Sequence, residues 1–156
     1  MMYGLSDLEI IQRVILSFVL GGIIGCERMY TNRPAGLRTH MLVCISGSLA
    51  MMINFKVFEI LGNHTNMDPG RMGSYFISGM GFLGAGTIIK EGVNVKGLTT
   101  AASLWACGII GLACGTGLYF ISIVSTICIT FTLFVMNKLE HRITNTRNNR
   151  ESKLDM

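Results

Sequence analysis

Charged side chains are scarce in this sequence. Asp, Glu, Lys and Arg make up 14% of its 156 residues, whereas a soluble domain usually carries about 25%. Half of the residues are hydrophobic, the mean hydropathy is +0.51, and no charged residue occurs from Gly97 to Asn137. This shortage excludes an ordinary soluble domain. It predicts an all-α membrane protein, because helices satisfy their backbone polar groups within each membrane-crossing segment.

The sequence also lacks a recognisable catalytic or ligand-binding arrangement. Its five cysteines show no CxxC spacing, and His40 with Cys44 supplies two metal ligands, fewer than a zinc site needs. Gly79, Gly81 and Gly84 have the spacing of a dinucleotide-binding loop, but they lie inside an apolar run with no preceding strand. We therefore expect no enzyme activity, no cofactor and no metal site. The net charge of +4 is too small and scattered to indicate a nucleic-acid partner.

Apolar runs predict five membrane crossings joined by short loops. The predicted spans cover about residues 8–26, 39–55, 72–89, 98–114 and 118–136. The last two come from one uncharged stretch that exceeds a single crossing, and Gly115 and Gly117 supply the turn that divides it. Residues 1–142 then form one transmembrane domain. Residues 143–156 form a polar tail that is too short to build a core.

Lysines and arginines predict the orientation of the chain in the membrane. Five crossings place ten of them on one side, in the first loop, the third loop and the tail. They are Arg28, Arg33, Arg38, Lys90, Lys96, Lys138, Arg142, Arg147, Arg150 and Lys153. Because basic loops stay in the cytoplasm, we expect the N-terminus outside and the tail in the cytoplasm. Near the outer end of the first span, Glu9 and Arg13 are four residues apart and are placed to pair on one helix face; the alternative is that Arg13 extends to the membrane interface.

A shift of 61 positions aligns the chain with itself at several residues. The identities are Ser17 with Ser78, Gly25 with Gly86, Gly36 with Gly97, Leu37 with Leu98, Thr39 with Thr100 and Gly47 with Gly108. This internal repeat predicts two parallel helix pairs related by an axis along the membrane normal, which is a known way of building transporters. The alternative is chance agreement within a glycine-rich membrane chain.

Two predicted helices begin with similar segments, GLRTH from Gly36 and GLTT from Gly97. The glycines permit a sharp turn, and the threonines that follow are placed to cap the first helical turn. The candidate functional rim consists of Glu27, Arg28, Arg38, Thr39 and Thr100. Glu27 and Arg38 flank one short turn and are predicted to pair. That pair is either a structural clamp or part of a contact with an ion, a phosphate or a partner protein.

Glycine is abundant, with 19 residues, and most of it lies within the apolar runs. Small residues let membrane helices approach closely, above all at GxxxG spacing. The glycines expected at helix contacts are Gly21, Gly25, Gly79, Gly81, Gly84, Gly86, Gly97, Gly111 and Gly115. Because a small bundle leaves packing faces unused, we also expect a homodimer or a larger complex.

Four strings of residues occur in order: GGIIGCER from residue 21, RPAGLRTHMLV from 33, GRMGSYFISGMGFLGAGTIIKEG from 70 and VKGLTTAASLWACGIIGLACG from 95. Together they resemble the MgtC/SapB family of bacterial inner-membrane proteins, over about residues 10–120. The resemblance implies a five-helix domain in the bacterial plasma membrane. The matching positions are Glu27, Arg28, Gly36, Arg38, Thr39, Gly79, Gly81, Gly84, Gly86, Gly97, Thr100 and Trp105.

The same resemblance implies a range of functions. Relatives act in adaptation to low magnesium, in survival inside macrophages and in virulence, partly by contacting membrane proteins such as the ATP synthase. Their label as magnesium transporters arose from genetic association and implies little about transport by the protein itself. Longer members carry a soluble domain after the last helix, so this chain is expected to be a short form without it.

We therefore expect a non-enzymatic regulator that lies in membrane lipid and binds other membrane proteins through small-residue helix faces and the rim. The alternative is a conduit for a cation or another small solute, which the repeat favours. A conduit usually places ionisable or oxygen-rich groups near mid-membrane, whereas most charges here lie at the predicted boundaries. An intramembrane enzyme is a distant third possibility.

Overall fold

The computed structural model describes the backbone of residues 5–61 and 68–154, and the side chains of residues 5–61 and 68–136. Five helices form the described part of the chain, with one small hairpin between the third and the fourth. The helices are α1 (Asp7–Tyr30), α2 (Leu37–Leu61), α3 (Arg71–Ala85), α4 (Leu98–Gly115) and α5 (Tyr119–Leu154), and the strands are β1 (Ile89–Glu91) and β2 (Asn94–Lys96). The all-α prediction is confirmed apart from the hairpin.

Four of the helices are long and apolar enough to cross a membrane. They are α1, α2, α4 and the Tyr119–Met136 part of α5. Helix α3 has 15 residues and is about 22 Å long, which is shorter than a hydrocarbon core of about 30 Å. The backbone of α5 continues to Leu154, and the side chains of the predicted tail lie outside the described residues.

The predicted third span is wrong at its C-terminal end, because the helix stops at Ala85. The Gly86 amide donates to Phe82 O, and the Thr87 amide donates to Gly84 O, so the helix closes with a tightened last turn. The next residues, up to Ile89, are β-branched and favour extended backbone.

The predicted third loop, which carries Lys90 and Lys96, contains the hairpin of β1 and β2. The strands are antiparallel, with Ile89 opposite Lys96 and Glu91 opposite Asn94, and Gly92 turns the chain at φ +62°. Lys96 Nζ pairs with Glu91 Oε2 at 2.5 Å, and Val93 at the tip is 95% exposed. The hairpin is therefore an exposed projection beside the start of α4.

Helix α2 is the centre of the bundle and packs along both α1 and α4, which also touch each other. A Cβ atom placed on Gly21 would lie 2.8 Å from Cys44 Cβ, and one on Gly111 would lie 2.1 Å from Cys44 O. Cys44 is thus held between a glycine of α1 and a glycine of α4. These three residues form what we call the glycine wedge, where the three helices meet with no room for a methyl group.

Other glycines also mark close backbone contacts. A Cβ on Gly25 would lie 2.7 Å from Leu37 Cα, one on Gly115 would lie 2.4 Å from Ser48 O, and one on Gly47 would lie 2.6 Å from Gly108 O. The structure places these glycines where α2 meets α1 and α4. Gly47 was not among the glycines predicted to lie at helix contacts. The internal repeat did align it with Gly108, the residue that it contacts.

The glycines of α3 behave differently. Among the described residues, a Cβ on Gly79 or Gly81 would have no neighbour within 4 Å, and one on Gly84 would be in ordinary contact with Ala101 at 3.6 Å. The buried face of α3 is formed by Gly73, Met80 and Gly84, so the other two glycines lie away from it. A Cβ on Gly86 would meet only carbonyl oxygens of its own helix, at 3.4 Å and beyond.

Helix α5 packs against α1 and α4 through both hydroxyl-bearing and apolar residues, since Ile129 and Leu133 also pack against the core. Ser122 and Thr126 are fully or almost fully buried, whereas Phe120, Ile127 and Phe131 on other faces are exposed. Apolar side chains cover most of the outside of the bundle, which is the arrangement expected of helices that face lipid. The chain is therefore a membrane protein, and many of its small and polar residues lie inside the bundle.

The predicted ion pair between Glu9 and Arg13 is wrong. Glu9 instead closes a capping box with Ser6 at the start of α1, while Arg13 Nη1 donates to Gly115 O at 2.6 Å. A guanidinium at the C-terminal end of α4 satisfies a free carbonyl and the negative end of the helix dipole. Arg13 is buried and therefore ties α1 to α4.

Candidate functional site

The candidate rim is the end of the bundle where α1 finishes and both α2 and α4 begin. The connection from α1 to α2 turns sharply: the Thr31 hydroxyl donates to Glu27 O at 3.0 Å, and Asn32 adopts φ +52°. The Arg33 amide then donates to Arg28 O at 3.0 Å. These bonds close the last turn of α1 and bring the start of α2 beside it.

Glu27 and Arg28 form a buried ion pair at this end of α1. Arg28 Nε donates to Glu27 Oε2, and the two side chains are 2% and 5% exposed, respectively. Glu27 Oε1 is buried and has no hydrogen-bond partner among the described residues. The predicted partner of Glu27, Arg38, is exposed, so the acid pairs with its neighbour along α1 and not with the arginine across the turn.

Helix α4 opens without the threonine cap that its sequence suggested. Gly97 is its N-cap residue at φ +90°, and no side chain caps it. A Cβ on Gly97 would lie 1.9 Å from Thr87 O, so the position requires glycine for its conformation and for space. Thr100 lies one turn further on and is buried.

A buried hydrogen-bonded chain joins α2 to α4 at the rim, and sequence reasoning missed it. His40 is 0% exposed; its Nδ1 lies 2.9 Å from Gly36 O and its Nε2 lies 3.0 Å from Ser103 Oγ. The Ser103 hydroxyl also lies 2.9 Å from Thr100 O, to which it can donate. His40 lies one turn after Gly36 in the sequence, and this spacing could have indicated the bond from Nδ1 to Gly36 O. The contact with Ser103 depends on how α2 and α4 align, which the spacing does not reveal.

An open groove of about 640 Å³ lies beside this buried chain. Its walls come from the last residues of α1, the connection and the first turn of α2. They are Met29, Asn32, Arg33, Pro34, Gly36, Leu37, Arg38 and Thr39. Of the five predicted rim residues, Arg38 and Thr39 line the groove. Glu27, Arg28 and Thr100 are inside the bundle, so the structure divides the predicted rim into an open part and a buried part.

The cysteines give the rim no metal centre in the part of the chain that the structure describes. Cys44, Cys107 and Cys114 are buried, and all five cysteines are free. Cys107 Sγ donates to His40 O at 3.2 Å, so this thiol serves as a hydrogen-bond donor between helices. Within residues 5–61 and 68–136, no group of three or more His, Cys, Asp or Glu side chains is placed to hold a metal ion.

Relatives of this chain are recognisable from its sequence. YhiD of Escherichia coli K12, whose name links it to magnesium transport, is 37% identical over 139 residues, which cover 88% of this chain and 65% of that protein. Protein MgtC of Brucella abortus is 45% identical over 113 residues, covering 72% and 45% of the two chains. Protein MgtC of Salmonella typhimurium is 39% identical over 134 residues, covering 85% and 54%.

The chain thus spans about half to two thirds of the length of these relatives. No solved structure matches it. The model of the MgtC family matches residues 14–142, which include most of α1, all of α2 to α4, the hairpin and the apolar part of α5. The resemblance seen in the sequence is confirmed, and the chain belongs to the MgtC family.

Proposed function

We propose that this chain is a non-enzymatic regulator of the bacterial inner membrane that acts by binding other membrane proteins under magnesium limitation or related stress. The proposal includes the role in virulence and the contact with a partner such as an ATP synthase that the family resemblance implies. The relatives' names support a link to magnesium. They leave open whether the protein carries the ion or adjusts other proteins that do.

One observation favours regulation over conduction: several buried hydroxyls inside the bundle are bonded to carbonyl groups of their own helices. Ser17 donates to Val14 O at 2.8 Å, Ser122 donates to Leu118 O at 2.9 Å, and the Thr126 hydroxyl donates to a carbonyl of the preceding turn. In such bonds the hydroxyl hydrogen is donated to a carbonyl of the same helix. An ion path would instead need oxygen atoms grouped around a shared position.

The orientation belongs to the same proposal. Five crossings, with α3 as a short one accommodated by local thinning of the bilayer, would place the N-terminus outside and the tail in the cytoplasm. The basic residues of the rim and the hairpin would then face the cytoplasm, as the positive-inside rule requires.

A parallel repeat is also proposed. It is supported by the starts of α2 and α4, which directly follow Gly36 and Gly97 at the same end of the bundle. The contact between Gly47 and Gly108 adds a second aligned position at which the two helices meet.

Two surfaces would serve as contacts in this proposal. Among the described residues, the walls of the rim groove carry the exposed Arg38 and no acidic side chain, so the groove suits an acidic segment of a partner protein. The side of α3 that bears Gly79 and Gly81 is open, and small residues allow close approach of another membrane helix. A second copy of this chain is the occupant that the proposed homo-oligomer would place there.

The rim proposal can be tested with a photo-crosslinking amino acid at Arg38 in living cells. Crosslinks to a defined inner-membrane protein are expected from this position, and the same amino acid at Lys90 on the hairpin is the matched exposed control. Equal and unselective crosslinking from both positions would show that the groove is not a specific binding surface for a partner protein.

The alternative function, a conduit for magnesium or another small cation, predicts a different result. Purified protein reconstituted in liposomes should then carry magnesium down a gradient, measured with an internal fluorescent indicator. Silent liposomes agree with the regulator. Flux that depends on the protein would overturn the regulator and establish the conduit.

A further inference from the structure

We propose that His40 is a proton-binding site built into the contact between α2 and α4, with Ser103 as the hydroxyl that adapts to either protonation state. Neither the family relationship nor the proposed regulator assigns this residue a role. The inference holds whether the chain regulates or conducts. It rests on the hydrogen bonds of the ring and on the charged groups around it.

The first step is the fixed tautomer of the neutral ring. Nδ1 lies 2.9 Å from Gly36 O, and a carbonyl oxygen can only accept, so Nδ1 must carry a hydrogen. The neutral ring therefore keeps its lone pair on Nε2. That nitrogen lies 3.0 Å from Ser103 Oγ inside the bundle.

The second step is that Ser103 can serve both forms of the ring without moving a heavy atom. Beside neutral His40, the Ser103 hydroxyl donates to Nε2. When a proton adds to the Nε2 lone pair, the new N–H donates to Ser103 Oγ, and the hydroxyl hydrogen rotates to Thr100 O at 2.9 Å. All polar atoms of the ring remain bonded in both states, which avoids the cost of a buried unsatisfied group.

Two charged side chains lie near the His40 ring. Glu27 and Arg28 of α1 are the charged groups that act on the ring, and as an ion pair they largely cancel. An added proton on the ring is therefore opposed by Arg28 and favoured by Glu27.

Among the described side chains, the other helices bring no further charge to the ring, and Arg38, two residues before His40 on α2, is exposed at the groove. Titratable thiols near the ring are Cys107 of α4, bonded to His40 O, and Cys44 one turn along α2. Helix α3 contains one charged residue, Arg71 in its first turn, and the described side chains of α5 contain none.

The groove approaches the ring from its Nδ1 side, because Gly36 both lines the groove and accepts the Nδ1–H bond. The titrating Nε2 lies on the opposite side of the ring and faces Ser103 inside the bundle. A proton that reaches Nε2 raises the charge of this helix junction by one. In the proposed orientation the junction reports cytoplasmic acidity.

The experiment is ¹⁵N NMR of histidine side chains in the full-length protein in lipid nanodiscs, titrated between about pH 5 and 8.5, where imidazoles change charge. Ring nitrogen shifts distinguish the two neutral tautomers from the imidazolium form, and His40→Gln assigns the signal against those of His64 and His141. The expected result is the Nδ1–H tautomer at high pH and reversible conversion to imidazolium as pH falls.

Ser103→Ala tests the hydroxyl, with Ser46→Ala as the matched control, since Ser46 is an exposed serine of α2. A hydrogen bond to a charged ring is stronger than one to a neutral ring, so Ser103→Ala should lower the imidazolium-to-imidazole ratio about fivefold at a given pH. Ser103→Thr keeps the hydroxyl and should stay near the parent ratio, as should Ser46→Ala.

A His40 that stays neutral throughout, or that shows the Nε2–H tautomer at high pH, would overturn the proposal and leave the residue as a structural link. If Ser46→Ala changed the imidazolium-to-imidazole ratio of His40 as much as Ser103→Ala does, Ser103 would have no specific role in binding the proton. If Ser103→Ala does not fold, the tautomer and titration of the parent and of Ser103→Thr still decide the question.

Discussion

Replacing Gly111 with alanine should strongly destabilise the bundle. The added Cβ would lie 2.1 Å from Cys44 O, 2.9 Å from Cys44 C and 3.0 Å from Cys44 Cα, and all three are backbone atoms. Because ordinary contact begins near 3.4 Å, α2 and α4 would have to separate by about 1.3 Å. We expect a loss of about 2–3 kcal/mol, the range of severe overpacking.

Two controls separate this clash from the effect of alanine itself. In Gly22→Ala the new atom would meet Met41 Cε at 2.8 Å, which is the far end of a flexible side chain, and in Gly81→Ala it would meet nothing within 4 Å. The first should cost less than about 1 kcal/mol, because Met can move aside. The second should be neutral or stabilising by about 0.5–1 kcal/mol, since alanine favours helix over glycine.

The assay is reversible unfolding in mixed micelles, followed by far-UV circular dichroism and by the fluorescence of Trp105, the chain's one tryptophan. The expected order of destabilisation is Gly111→Ala first, then Gly22→Ala, then Gly81→Ala. Adding Cys44→Ala to Gly111→Ala should not restore stability, because the obstruction is a carbonyl group. If Gly111→Ala were as stable as Gly81→Ala, or if Cys44→Ala rescued it, the described approach of α2 and α4 would be refuted.

Two further changes test the polar contacts at opposite ends of the bundle, by the same unfolding measurement. Arg13→Gln should cost about 1–2 kcal/mol, since it removes the cation from the C-terminal end of α4. Glu9→Gln, at an exposed capping box, should cost less than Arg13→Gln, and equal losses would contradict the assignment of Arg13 to Gly115. Glu27→Gln should cost about 3 kcal/mol by leaving Arg28 charged and buried, and the pair Glu27→Gln with Arg28→Met should recover most of it; additive losses would argue against a buried pair.

Hydropathy was sufficient to predict the long helices, because a membrane crossing needs many consecutive apolar residues and few alternatives satisfy that pattern. The spans assigned to α1, α2, α4 and α5 begin within two residues of the observed helices. Hydropathy did not predict where α3 ends. Thr87, Ile88 and Ile89 continue the apolar run, and a three-residue strand is too short for its alternation to be read from the sequence.

The contacts at the rim depended on rotation of the helices, which spacing along the chain does not determine. Glu27 was matched with Arg38 because the two lie near one turn, but burial of the last turn of α1 brought Arg28 beside the carboxylate. His40 and Ser103 are 63 residues apart, and their contact follows from the packing of α2 on α4 at glycines. The glycines were visible in the sequence, while the alignment that they produce was not.

The glycine wedge has a mechanical consequence. With Cys44 seated between Gly21 and Gly111, α2 can neither slide nor rotate without driving backbone atoms of one helix into another, since such packed contacts do not deform continuously. Helices α1, α2 and α4 must therefore move as one rigid body. Any signal that travels through this protein has to be carried by displacement of α3, the hairpin or α5 against that body.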